Sequence, residues 1–158
     1  MGRNALRGIV LAVALLLAPV AWGIEWDGEA GNGSWDCGTN WGGDVKPGPD
    51  NEAFWDLLNS GANVHLDANQ VCDSLRLYKG NSNTGTTVTL DNADFTLTLS
   101  SGDITFQQYG GRVAGLTLDA PVSLGDSLAV WDTGDGATHI FNVNEAVSET
   151  VAGTTIQK

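Results

Sequence analysis

The chain has 158 residues, of which 42% are hydrophobic and 16% charged; 19 acidic residues outnumber 7 basic ones, and the net charge is −12. Such a surface repels nucleic acid and anionic lipid, which argues against both as partners. The length suits one domain with a real core, and the acidity itself keeps a chain soluble.

Residues 1–23 read as a secretory signal. Arg3 and Arg7 supply a basic start, residues 8–18 are almost wholly apolar, and Ala21-Trp22-Gly23 offers the small residues that a signal peptidase reads. The apolar run is short for a membrane span and Pro19 ends it, so cleavage is favoured over a retained anchor. The arginines are not adjacent, which points to the general secretory route. In the mature chain, from Ile24, five basic residues face nineteen acidic ones and the net charge becomes −14. No later run is apolar enough to cross a bilayer.

Residues 24–62 form an irregular cap rich in Trp, Gly and Asp. Trp26, Trp35 and Trp41 follow neither a helical nor a strand period. They sit among Gly, Asp and Asn, the residues of tight turns. Two readings compete: a lid over an apolar core, or a platform on which sugars stack. The lid is favoured, because large aromatics are commonly buried and these three share no face. Asn40 and Asp50 suit turn-capping hydrogen bonds, and Pro47 and Pro49 stiffen the return path. Phe54, Leu57 and Leu58 could line one helical turn or open the first strand. Cys37 and Cys72 are the only cysteines. An even count in an exported chain favours a disulfide tying the cap to the first strands, with two free thiols as the alternative. Two cysteines without a nearby histidine make no zinc site.

From residue 63 onward short alternating runs recur, starting at Val64, Leu75, Val88, Phe95, Ile104, Leu116, Val122, Leu128 and Ile140. Alternation with Thr and β-branched residues marks strands with one buried face; Phe95, Leu97 and Leu99 share one side. The chain is therefore all-β. Leu75, Leu97, Leu116 and Ile140 lie 22, 19 and 24 residues apart, an uneven interval near twenty. Such spacing favours a β-solenoid, a right-handed parallel β-helix, over a β-sandwich or jelly roll. The strand-like tail from Glu149 gives no terminal cap, and the solenoid at 63–158 is expected to continue past Lys158.

The head pattern resembles a known family. Trp26-Asp27-Gly28, Gly33 with Trp35, Asn40-Trp41, and Pro47, Asp50 and Phe54 look like the N-terminal segment of autotransporter-associated β-strand repeat proteins. Many of these carry a C-terminal PEP-CTERM sorting tail. The S-L-R-L step at Ser74 and the A-G-T-T-I-Q-K tail at Ala152 extend the resemblance over most of the mature chain. It implies an exported, structural or adhesive β-helical surface module, at the outer surface, outside the cell or in the periplasm of a Gram-negative-type bacterium. The partners implied are extracellular polysaccharide or neighbouring surface proteins. No sorting tail or barrel is present in this sequence, and the two cysteines are not part of the family's pattern. A carbohydrate-binding module using the three tryptophans, or the front of a polysaccharide-degrading enzyme, are the rival readings.

Catalytic chemistry has little support. His65 and His139 each lie in a strand-like run, and Asp67 could point the same way as His65. No G-x-S-x-G elbow accompanies them. The acidic turn at 132–136 clusters oxygen ligands but lacks the closing glutamate of a calcium loop, so a solvated turn is favoured. The polar stretch at 80–85 reads as a variable loop. No catalytic residue, cofactor or metal is expected.

Overall fold

A computed structural model describes residues 23–57, 61–79, 86–108, 114–133, 139–149 and 156–157. Residues 1–22 of the expected 1–23 signal, Leu58, the loop at 80–85 and part of the 132–136 turn lie outside the described residues.

The fold is an all-β solenoid of about four coils. The first sheet stacks β1 (Ile24–Glu25), β2 (Glu52–Asp56), β5 (Ser74–Lys79), β8 (Asp103–Gln108), β11 (Leu128–Asp132) and β14 (Ile156–Gln157) in that order. The second stacks β3 (Ala62–His65), β6 (Thr86–Asp91), β9 (Ala114–Asp119) and β12 (Ile140–Val143). The third stacks β4 (Gln70–Cys72), β7 (Leu97–Leu99), β10 (Val122–Leu124) and β13 (Val147–Glu149). All pairings within these sheets are parallel, so each coil contributes one strand to each sheet.

Register turns the alternation of each strand into columns of like residues. Ala53, Leu75, Ile104 and Val130 stack on one inner column. Val64, Leu90, Leu118 and Val143 form another, and Cys72, Leu99 and Leu124 a third. Most of these side chains are fully buried, and each buried Leu or Val contributes about 1.5–3 kcal/mol. The polar alternates face out, as in the column Asn63, Thr89, Thr117 and Asn142. Towards the last coil the interior opens: Val143 and Val147 are 39% and 40% exposed.

Two expectations need correction. The interval near twenty is not the coil repeat, because Leu75, Leu97 and Leu116 belong to three different sheets. Within one column the steps are 22, 29 and 26 residues (Ala53, Leu75, Ile104, Val130) or 27 and 25 (Cys72, Leu99, Leu124). The solenoid also begins earlier than residue 63. Residues 52–56 are strand β2, the second of the two alternatives for this stretch, and pair with β5 over five residues. Here Ala53 and Trp55 point inward while Phe54 points out.

Candidate functional site

The cap is built from turns. Asp27 Oδ1 accepts the Glu29 amide at 3.2 Å, and Asn32 Oδ1 accepts that of Ser34 at 3.0 Å. Both are Asx turns, which let a chain without regular structure satisfy its own backbone. A short 3₁₀ turn at Gly38–Asn40 then delivers Trp41 to the core. Asn40 is completely buried and holds the turns together. Its side chain accepts from the Ala30 amide (3.1 Å) and donates to Asn32 Oδ1 (2.7 Å) and the Ser34 carbonyl (2.9 Å). Its carbonyl accepts from the amides of Asp27 and Gly28.

Trp35 and Trp41 are fully buried and Trp55 is 1% exposed. The rings of Trp35 and Trp41 meet edge to face at 4.8 Å, and Trp41 and Trp55 at 5.6 Å. Trp26, half-buried, abuts Trp41 at 4.9 Å with the planes at 88°. Edge-to-face contacts of this kind each contribute about 0.5–1.5 kcal/mol beyond area burial. The cluster covers the open end of the interior. The cap also pairs with the first coil: Trp26 N donates to the Phe54 carbonyl and Trp35 N to that of His65. Two edge strands are thereby covered. Buried rings cannot stack on a sugar, and of the three expected tryptophans only Trp26 is partly exposed. The Trp41 indole donates to the Trp35 carbonyl at 2.8 Å. Those of Trp35 and Trp55 find no acceptor among the described residues.

The other expected cap residues divide. Pro47 is buried, whereas Asp50 is exposed, and the turn is closed instead by Asn51, whose Oδ1 accepts the Gly48 amide at 3.2 Å. Phe54 leaves the cap altogether. It lies on the outer face of the first sheet, under the Arg76 guanidinium at 4.4 Å, and Arg76 pairs with Glu52 at 2.9 Å. Burial pushes the Glu52 carboxyl above its usual range, against the pull of Arg76. Lys46, by hydrogen bond and charge, holds Asp36 below that range.

The expected Cys37–Cys72 disulfide is not formed; both are free thiols. Cys72 faces inward on β4, stacked under Leu99, and its sulfur lies in the core. Cys37 sits in the cap with its sulfur 3.1 Å from Thr39 Oγ1. Hydrogen bonds from Thr39 and then Asn32 pull the Cys37 thiol below its ordinary range, while burial pushes that of Cys72 far up. The thiolate is the reactive form. In the native protein a thiol reagent is therefore expected to titrate Cys37 alone, with a rate that saturates at a lower pH than for a free thiol. Cys72 should react only in denaturant; two fast thiols in native protein, or none in denaturant without reductant, would contradict this assignment.

His65 meets two carboxylates, Asp91 at 2.5 Å and Asp67 at 3.7 Å, and is half-exposed. The Ser34 hydroxyl donates to Asp67, not to the imidazole, so no serine is poised on a histidine base. His139 stacks on Phe106 at 4.9 Å and pairs with Asp132 at 3.0 Å. This partner ties down one carboxylate of the 132–136 turn. Among the described residues no group of three or more His, Cys, Asp or Glu side chains is arranged to hold a metal, and no helix is long and apolar enough to cross a membrane.

The concave feature beside the cap is a groove of about 600 Å³ between the cap turns and the first coil. Its lining includes Glu25, Trp26, Asp27, Gly31, Trp55 and Asp56. Neither Trp55 nor the groove was expected from the sequence. The signal was present, since the alternation in E-A-F-W-D puts Ala53 and Trp55 on one face. Comparison with known proteins finds no match: no family model, curated protein or solved structure is similar to this chain.

Proposed function

We propose that this chain is a non-enzymatic, exported β-helical module that serves as a structural or adhesive element at a bacterial surface. The observation that carries the reading is the in-register stack of three parallel sheets, closed at its front by the tryptophan cap. Such a stack is a rigid rod whose outer columns and corner loops are held at fixed spacing, which suits presentation rather than turnover. The resemblance of the head to autotransporter-associated β-strand repeat proteins supports the same role, with extracellular polysaccharide or neighbouring surface proteins as partners. The basic start and apolar run before Pro19 support export.

The test is to sequence the N-terminus of the protein from its native host and to label intact cells with an antibody against it. The expected result is a chain starting at Ile24 and accessible from outside. Retention of Met1 in the cytosol would overturn export, and release of reducing ends from a polysaccharide panel would replace the non-enzymatic reading.

A further inference from the structure

We propose that the outer face of the first sheet binds a linear, neutral polysaccharide, with Trp131 as the platform for one sugar ring and Tyr78 for another. The proposal deepens the adhesive reading and rests on it for access to an extracellular glycan.

Trp131 stands at an outer position of β11, in a column that runs Phe54, Arg76, Thr105, Trp131. Its ring is 55% exposed, whereas Trp35, Trp41 and Trp55 are buried. Its indole N–H donates to Asp103 Oδ1 on β8 at 3.2 Å, which ties the ring to the neighbouring coil. Its backbone is held by the parallel pairing of β11 with β8. An exposed aromatic fixed at both ends takes the apolar side of a pyranose with little further loss of side-chain freedom.

A second aromatic lies on the same face. Tyr78 is half-buried at an outer position of β5, and its ring meets that of Phe54 at 6.4 Å. From β5 to β11 is two rungs, roughly 10 Å along the stack at about 4.8 Å per rung. The rung between them, β8, carries the uncharged hydrogen-bonding side chains of Thr105 and Gln107 at its outer positions. Along the solenoid the face therefore reads aromatic, polar, aromatic. That order seats successive sugars of one chain, with hydroxyl partners between the two stacking points.

Charge selects among polysaccharides. The charged residues at outer positions of β2, β5, β8 and β11 are Glu52, Asp56, Arg76 and Asp103. Arg76 is paired with Glu52 and stacked on Phe54, so the cation of this face is engaged. With three carboxylates here and a net charge of −12 overall, an anionic polymer is repelled. A cationic one finds no carboxylate to spare: Glu52 holds Arg76, Asp103 holds Trp131, and Asp56 has an interaction of its own. A neutral chain suits both facts.

Calorimetry on the purified protein tests this with hexamers of glucose, xylose and mannose, the matching disaccharides, and a galacturonate hexamer. At least one neutral hexamer is expected to bind, more tightly than its disaccharide by about tenfold, since the second contact is intramolecular. The galacturonate hexamer should be far weaker. Trp131→Ala should lower affinity by about tenfold or more while leaving the urea midpoint unchanged. Tyr78→Ala should weaken the hexamer and spare the disaccharide. Asp103 is a positioning residue: Asp103→Ala should weaken binding several-fold, and Asp103→Asn, which keeps an acceptor for the indole, should restore it. No binding of any neutral hexamer, a galacturonate hexamer bound as tightly as the neutral ones, or parental affinity in Trp131→Ala would overturn the proposal. These outcomes are independent of export, so a cytosolic protein that binds a neutral hexamer through Trp131 sinks the surface role and leaves the binding face standing.

Discussion

Replacing Trp41 with alanine is expected to destabilise the protein by about 3–5 kcal/mol, the range for deleting a large aromatic from a packed core. The change removes three ring contacts at once, to Trp26, Trp35 and Trp55, and opens the end of the solenoid to water. It also strands the Trp35 carbonyl, whose partner is the Trp41 indole. The measurement is a urea transition followed by circular dichroism, with the loss read from the midpoint at constant slope. Phenylalanine at Trp41 and at Trp35 separates area from hydrogen bonding. Trp41→Phe loses a made hydrogen bond, whereas Trp35→Phe removes an indole N–H without an acceptor. Trp41→Phe should therefore be the more destabilising, by about 1 kcal/mol or more. A Trp41→Ala protein with an unchanged midpoint would end the account of this cluster as a lid.

The second large effect is expected at Gly102, in the corner between β7 and β8. Its φ is +75°, and a Cβ there would stand 2.6 Å from the Ser127 carbonyl oxygen and 2.9 Å from that of Asp126. Both oxygens are backbone of the next coil, so a side chain cannot be accommodated by a rotamer change. Gly102 also accepts the Ala129 amide through its carbonyl, a link that sets the distance between the coils. Gly102→Val combines left-handed strain with overpacking and should cost about 2–5 kcal/mol. The expected readout is a lowered urea midpoint. A variant as stable as the parent would mean that the two coils are not in this close contact.

The sequence revealed the faces of the strands better than their partners. Alternation in L-T-L at 97–99 and V-S-L at 122–124 identifies the buried residues, because period two is a local property of extended chain. Which strand lies beside which is a contact between residues more than twenty positions apart, and no local pattern encodes it. The cap shows the same division. The turn chemistry of Asn40 is legible, since a short amide side chain among glycines has few other uses. Trp55 was missed because its neighbours belong to a different stretch of chain. The cysteine pairing failed for a related reason. Compartment and an even count say that two thiols could join, but strand direction places Cys72 in the interior while Cys37 remains in the cap.

The unequal coil steps have a further meaning. Strands of the second and third sheets are joined by four residues at 66–69, five at 92–96, two at 120–121 and three at 144–146, yet the columns on either side stay in register. Extra length is taken up at the corners, where doubling a flexible loop costs only about 0.6 kcal/mol. The molecule thus keeps a ruler in space and none in sequence. Neighbouring coils are free to drift apart in length and corner chemistry while their rungs remain about 4.8 Å apart. A lineage built this way can rewrite what it shows the outside world one corner at a time, and in doing so erases the periodicity by which its kin would be found.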